Sequence, residues 1–146
     1  MAEPVWTFQH SVDCRVPRQF AWNFWSDIRN WDDPPARFEL TGRFESGSHL
    51  RTILPGEILH SVLRDVQSGQ HATVEMELPD ALLRFHWTFV EVAAAHSQIT
   101  QSLILEGPNA RAFVEQARAL EQSVPQGMAK LVALIERSAA AACTKS

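Results

Sequence analysis

Apolar and polar positions along this chain change pattern three times, which divides it into four stretches. The first opens with VWTFQHSVDCRV (residues 5–16), rich in Val, Trp, Thr and Phe, a composition that predicts a strand. From Pro17 to Trp31 the period is helical: Phe20, Phe24, Ile28 and Trp31 share one stripe, widened by Ala21 and Trp25. Pro17 suits the first helical position, where its missing N–H costs nothing. Trp22 falls off the centre of the stripe, which predicts a ring turned away from the packed face. Asp32-Asp33-Pro34-Pro35 ends the helix, because consecutive prolines cannot extend it.

After Pro35 the period becomes two. Phe38, Leu40, Gly42 and Phe44 alternate with Glu39, Thr41 and Arg43, as on a half-buried strand. Residues 49–54, 57–67, 71–78, 82–92 and 97–106 continue the pattern, separated by ESGS, Pro55-Gly56, Ser68-Gly69, Pro79-Asp80 and an AAAH linker. The cleanest alternation is LLRFHWTFVEV, with Leu83, Phe85, Trp87 and Phe89 on one face against Arg84, His86 and Thr88. Six strands of an antiparallel meander follow, and the N-terminal strand makes a seventh. Gly107-Pro108-Asn109 closes the sheet, with Asn109 placed to cap a helix. Phe113, Ala117, Leu120 and Val124 then form one helical stripe, and Met128, Leu131, Val132 and Ile135 form the next. Ser123 and Pro125 predict a break or kink between residues 123 and 127, and the Ala-rich tail from Ser138 is expected to fray.

The order strand, helix, antiparallel meander, long C-terminal helix specifies an α+β fold. A curved sheet with one apolar face needs a cover, and the last helix supplies it. A sheet curling round a helix leaves space that side chains do not always fill, so a cavity is expected between them. Eight consecutive strands followed by a helix, as in a lipocalin, and a start in helices, as in an NTF2-like domain, both disagree with this order. The length of 146 residues predicts one domain over residues 1–146, with an ordered core at about residues 5–138.

The chain resembles the START-like, or SRPBCC, superfamily and its helix-grip fold over residues 5 to 138. AWNFWSDIRNWDDP (21–34) is similar to the first-helix signature of the polyketide cyclase/dehydrase and lipid-transport branch. ILEGP (104–108) and VPQGMAKLVALIERS (124–138) are similar to that branch's sheet-to-helix junction and gripping helix. The resemblance implies a seven-stranded antiparallel curved sheet wrapped around a long C-terminal helix. It implies no one activity, because the superfamily includes lipid carriers, hormone-binding and allergen proteins, aromatase/cyclases and co-chaperones.

Composition narrows the chemistry. Thirteen basic against 17 acidic residues give a net charge of −4, with the basic residues dispersed. That disfavours nucleic acid and anionic membrane surfaces as partners. No apolar run is long enough for a membrane span, and no basic segment leads an apolar one at the start, so a cytoplasmic protein is expected. Cys14 and Cys143 form no disulfide framework and read as reduced thiols. The six His and two Cys make no HExxH, HxxxH or CxxC, so no metal is expected, and no Gly-rich loop or nucleophile motif calls for another cofactor. There are five Trp and no Tyr, which removes any mechanism needing a phenol.

The expected function is binding of a small, largely hydrophobic ligand — a lipid, polyketide or aromatic metabolite — between the sheet and the C-terminal helix, by a monomer or homodimer. Phe85, Trp87, Met76 and Met128 wall the expected pocket, joined by Leu131 from the same helical stripe as Met128. The resemblance adds Trp25 and Phe38. His60, alternating with Ile58 and Val62, and Gln101, sharing parity with Ile99 and Leu103, are the candidate polar groups inside. Each also reads as an ordinary hydrogen-bonded core or sheet residue. A second expectation is a cyclase/dehydratase-type enzyme with His60 as its acid/base. A third is a co-chaperone-like interaction module, for which an off-stripe Trp22 is the sequence support.

Overall fold

The computed structural model describes residues 3–144. The strands are β1 (Trp6–Cys14), β2 (Arg37–Leu40), β3 (His49–Leu54), β4 (Glu57–Gln67), β5 (His71–Leu78), β6 (Ala81–Ala93) and β7 (His96–Glu106). They form one antiparallel sheet in the order β1-β7-β6-β5-β4-β3-β2. Helix α1 (Arg18–Trp25) and a 3-10 turn (Ile28–Asn30) join the two edge strands. After β7 come a second 3-10 turn (Ala110–Phe113), α2 (Val114–Arg118) and the 25-residue α3 (Leu120–Thr144). This is the expected seven-stranded sheet around a long C-terminal helix. No helix among the described residues is long and apolar enough to cross a membrane.

Register shifts between Arg64 and Gln67 on β4, and between Glu91 and Ala93 on β6, interrupt the ladders. Such irregularities bend and twist a strand, which helps the sheet curl. Its concave face carries the apolar parity of each strand, including Leu50, Leu63, Phe89, Ile99, Leu103 and Leu105, all buried. The stripe Val124, Met128, Leu131 and Ile135 turns α3 toward that face, with Met128 and Ile135 fully buried. Two contacts tie the helix to β1 and its end: Trp6 Nε1 donates to Glu121 Oε2 at 2.9 Å, and Arg15 N to Glu136 Oε2 at 2.8 Å. Gly107 makes the turn out of β7 at φ +123°, where an added Cβ would lie 2.8 Å from Ala81 Cα. Only glycine fits there.

Several sequence expectations are corrected. The first helix ends at Trp25, because Asp27 takes an extended backbone and its carboxylate accepts from Arg29 N at 3.1 Å, starting a separate 3-10 turn. Pro17 stands just before the helix, as its cap residue. Trp22 is 4% exposed and sits with Ala21 and Trp25 on the packed face, its ring edge-on to Phe44 at 6.0 Å and to Phe89 at 5.4 Å. The exposed-Trp support for an interaction module therefore falls away. The strand expected through Phe44 stops at Leu40, and Phe44 packs on the core from a loop.

The break in the last helical region falls at Ala119. α3 runs unbroken through Ser123 and through Pro125, which stands in its second turn. α3 extends to Thr144. Asn109 precedes the 3-10 turn without a side-chain cap, and its amide donates instead to Pro79 O at 3.3 Å. The side chain of Cys143 lies outside the described residues.

Candidate ligand-binding cavity

Between the concave face and α3 lies a cavity of about 460 Å³. Its walls follow from parity: each inward strand position meets an inward neighbour in register. Gln101 pairs with Trp87, Phe85 with Val74, and Met76 with Ser61, which pairs in turn with Leu50. Met128, Leu131 and Leu134 of α3 form the opposite wall. The mouth lies between α3 and the segment leading from the 3-10 turn into β2, with Asn30, Trp31, Asp32, Asp33 and Ala36 on one side.

Eight of the nine sequence-predicted site residues come together here: Trp25, Phe38, Met76, Phe85, Trp87, Gln101, Met128 and Leu131. His60 does not. It is exposed on the convex face, in register with the outward Arg51, and the inward position beside it belongs to Ser61. The reason is that EILHSVLRDVQ carries apolar residues on both parities, so its own sequence does not fix which face is inward. Ile58, whose parity placed His60 inside, is itself exposed. The acid/base role expected of His60 loses its position. The ionisable residues that line the cavity among those described are Asp32, Asp33 and Lys130, all at the mouth.

Five aromatic rings line the site: Trp25, Trp31, Phe38, Phe85 and Trp87. Trp25 is their hub, with centroids 5.0 Å from Trp87 and 5.4 Å from Trp31, and Trp31 meets Phe38 edge-on at 5.5 Å. Each such pair contributes about 0.5–1.5 kcal/mol beyond area burial, so the aromatic wall is held in place. The Trp31 indole N–H donates to the Trp25 carbonyl, which orients the ring at the mouth. Across the mouth Lys130 Nζ meets Asp33 Oδ1 at 2.8 Å, an exposed pair. Asp32 Oδ1 accepts from Phe38 N at 3.0 Å and so fixes the start of β2.

Two buried polar side chains inside have no protein partner, and the half-buried Thr52 on the same wall makes no side-chain hydrogen bond either. Ser61 is 1% exposed, and its Oγ makes no hydrogen bond. Gln101 is 6% exposed, and its amide makes no side-chain hydrogen bond among the described residues. A buried polar group left unpaired costs about 1–3 kcal/mol. Ser97 Oγ is also unpaired, yet lies outside the cavity.

Sequence reasoning missed Ser61, Leu50, Thr52, Val74 and the mouth residues. A signal for the first two existed. Pro55-Gly56 is a two-residue turn, so Leu50 must oppose Ser61, and a buried Leu50 with an outward Arg51 brings Ser61 inward. Nothing comparable marks Asn30–Ala36, whose position depends on tertiary packing. Cys14 is fully buried, and burial, with Glu136 nearby, pushes its thiol up to about 11, which leaves it unreactive. Among the described residues, no group of three or more His, Cys, Asp or Glu is arranged to hold a metal ion.

No protein-family model and no curated protein matches the sequence. Solved structures do match the fold. A norcoclaurine synthase point mutant of Thalictrum flavum, in complex with a transition-state analogue, superposes with a TM-score of 0.72 at 15% identity, over 94% of this chain and 98% of that one. The Zhui aromatase/cyclase of Streptomyces sp. R1128 gives 0.67 at 16% identity, over 90% of this chain and 94% of that one. A protein of Mesorhizobium loti gives 0.73 at 12% identity, over 90% and 98%.

Proposed function

We propose that this chain, which has the helix-grip fold of the START-like (SRPBCC) superfamily, binds a small, largely apolar ligand between its sheet and α3. The observation that carries the reading is an aromatic-walled cavity of about 460 Å³ holding two buried polar groups without protein partners. A pocket of this size, mostly apolar with a few placed polar groups, is the usual form of a small-molecule site. The similar fold of Thalictrum flavum norcoclaurine synthase has been solved in complex with dopamine and hydroxybenzaldehyde, and those aromatic molecules support an aromatic ligand here.

The test uses the purified wild-type protein. Native mass spectrometry looks for a co-purified small molecule, and N-phenyl-1-naphthylamine is titrated while tryptophan emission is followed. Saturable quenching at one probe per chain is expected, because Trp25, Trp31 and Trp87 line the cavity. No bound mass, together with unchanged tryptophan emission for this probe, for stilbene and for a fatty acid, overturns the reading.

A further inference from the structure

We infer that the cavity selects an elongated, uncharged molecule with a hydroxyl or carbonyl group at each end, one end held by Ser61 and the other by Gln101. The inference rests on the binding role just proposed and adds the class of ligand. Both side chains are more than nine-tenths buried, line the cavity and lack a protein partner. The serine hydroxyl and the glutamine amide can each donate and accept, so each matches a neutral oxygen group.

The sheet register sets the spacing. Gln101 lies opposite Trp87, and Trp87 opposite Ala72, whereas Ser61 lies opposite Met76. Gln101 and Ser61 are therefore three strands apart and offset by four residues, on the order of 14 Å in each direction on a flat sheet. The flat-sheet diagonal is therefore about 20 Å, which sheet curvature and the length of the Gln101 side chain shorten, so a ligand that reaches both groups is elongated. Val74, Met76, Phe85 and Trp87 fill the span between them with apolar wall. A molecule polar at one end only would leave one of the two groups unpaired.

Charge at the mouth disfavours a different elongated molecule, a fatty acid. Lys130 is the single cation among the lining residues and already pairs with Asp33, while Asp32 adds a second carboxylate. An incoming carboxylate meets a net negative rim and no free cation.

Three probes test this: a stilbene with a para-hydroxyl on each ring and unsubstituted trans-stilbene, both followed by tryptophan quenching, and decanoate, followed by its displacement of bound N-phenyl-1-naphthylamine. Wild-type protein is expected to bind the dihydroxystilbene about tenfold more tightly than stilbene, and decanoate more weakly than either. Ser61→Ala and Gln101→Leu are each expected to reduce that preference several-fold, and the double variant to remove it. Each variant should unfold at the same or higher denaturant concentration than wild type, because an unpaired buried polar group has gone. Equal affinity for the two stilbenes in wild type, a preference that survives both substitutions, or decanoate as the tightest probe overturns the inference. Stilbene binding without preference defeats this inference alone. Absence of binding by every probe, including N-phenyl-1-naphthylamine, defeats the binding function as well.

Discussion

The two faces of the one sheet treat polar side chains in opposite ways. On the convex face several strand polar groups pair with a neighbour across the ladder. Thr73 Oγ1 lies 2.6 Å from His86 Nδ1, Arg84 bridges Glu75 at 3.0 Å and also pairs with Glu106, and Ser11 lies 2.7 Å from Thr100. On the concave face polar groups are few, and Ser61, Ser97 and Gln101 make no side-chain hydrogen bond among the described residues. The apolar face is thus the one whose buried polar groups find no protein partner. Folding alone would favour apolar residues at Ser61 and Gln101, and their presence in the cavity wall points to a requirement other than stability.

The comparison breaks first at the hydrophobic contrast. Phe89 is 1% exposed and its neighbour Val90 51%, on alternating faces of β6. Phe89→Ala should cost about 3–5 kcal/mol in denaturant unfolding, and Val90→Ala less than about 0.5 kcal/mol. Similar losses would mean the faces are not what they are described to be.

Smaller, and more pointed, is the polar contrast. Thr73→Val removes the partner of a half-buried His86 and should cost about 1 kcal/mol, whereas Ser61→Ala should cost nothing or stabilise. A Ser61→Ala loss equal to that of Thr73→Val would show that the Ser61 hydroxyl is paired after all. Next comes the convex ion network. Glu75→Gln should lose at most about 1 kcal/mol at low ionic strength and still less in high salt, since Arg64 and Arg84 are partly solvated. A loss indifferent to salt would point to packing instead.

The smallest effect is a pH slope. Burial, with the nearby His71, holds His86 below its ordinary value of 6.5, against a weaker opposing pull from Asp65. The folded state therefore disfavours the proton, and the unfolded chain binds more of it. Stability is full above the unfolded value and declines as pH falls from there toward the folded value. His86→Asn should flatten the decline in unfolding midpoints measured between neutral and mildly acidic pH. An unchanged slope would assign it to another group.

How legible the molecule was depended on whether local pattern had a competitor. β6 alternates without exception from Leu83 to Phe89, so its inward face and its site residues Phe85 and Trp87 could be read directly. β7 gave Gln101 by the same logic. β4 has apolar residues on both parities, and its face is decided by the Pro55-Gly56 turn and by pairing with β3, which is why His60 was expected where Ser61 stands. The first helix failed differently. Its stripe continued in sequence through Ile28 and Trp31, but Asp27 broke the backbone, and Trp31 reached its place through a bond to the Trp25 carbonyl. Lys130 and Asp33 are 97 residues apart, and no short-range pattern brings them together at the mouth.

A ligand site on the concave face, with the rest of the sheet as its scaffold, requires that ligand reach the cavity tryptophans and leave the others alone. The most direct measurement is the set of indole N–H resonances in an NMR spectrum of the protein during titration with N-phenyl-1-naphthylamine. Trp25, Trp31 and Trp87 line the cavity, whereas Trp6 lies outside it, bonded to Glu121. Saturable shifts of the three cavity indoles are expected, with Trp6 unmoved. Shifts centred on Trp6, or no shift of any cavity indole at saturating probe, would contradict a ligand site on the concave face.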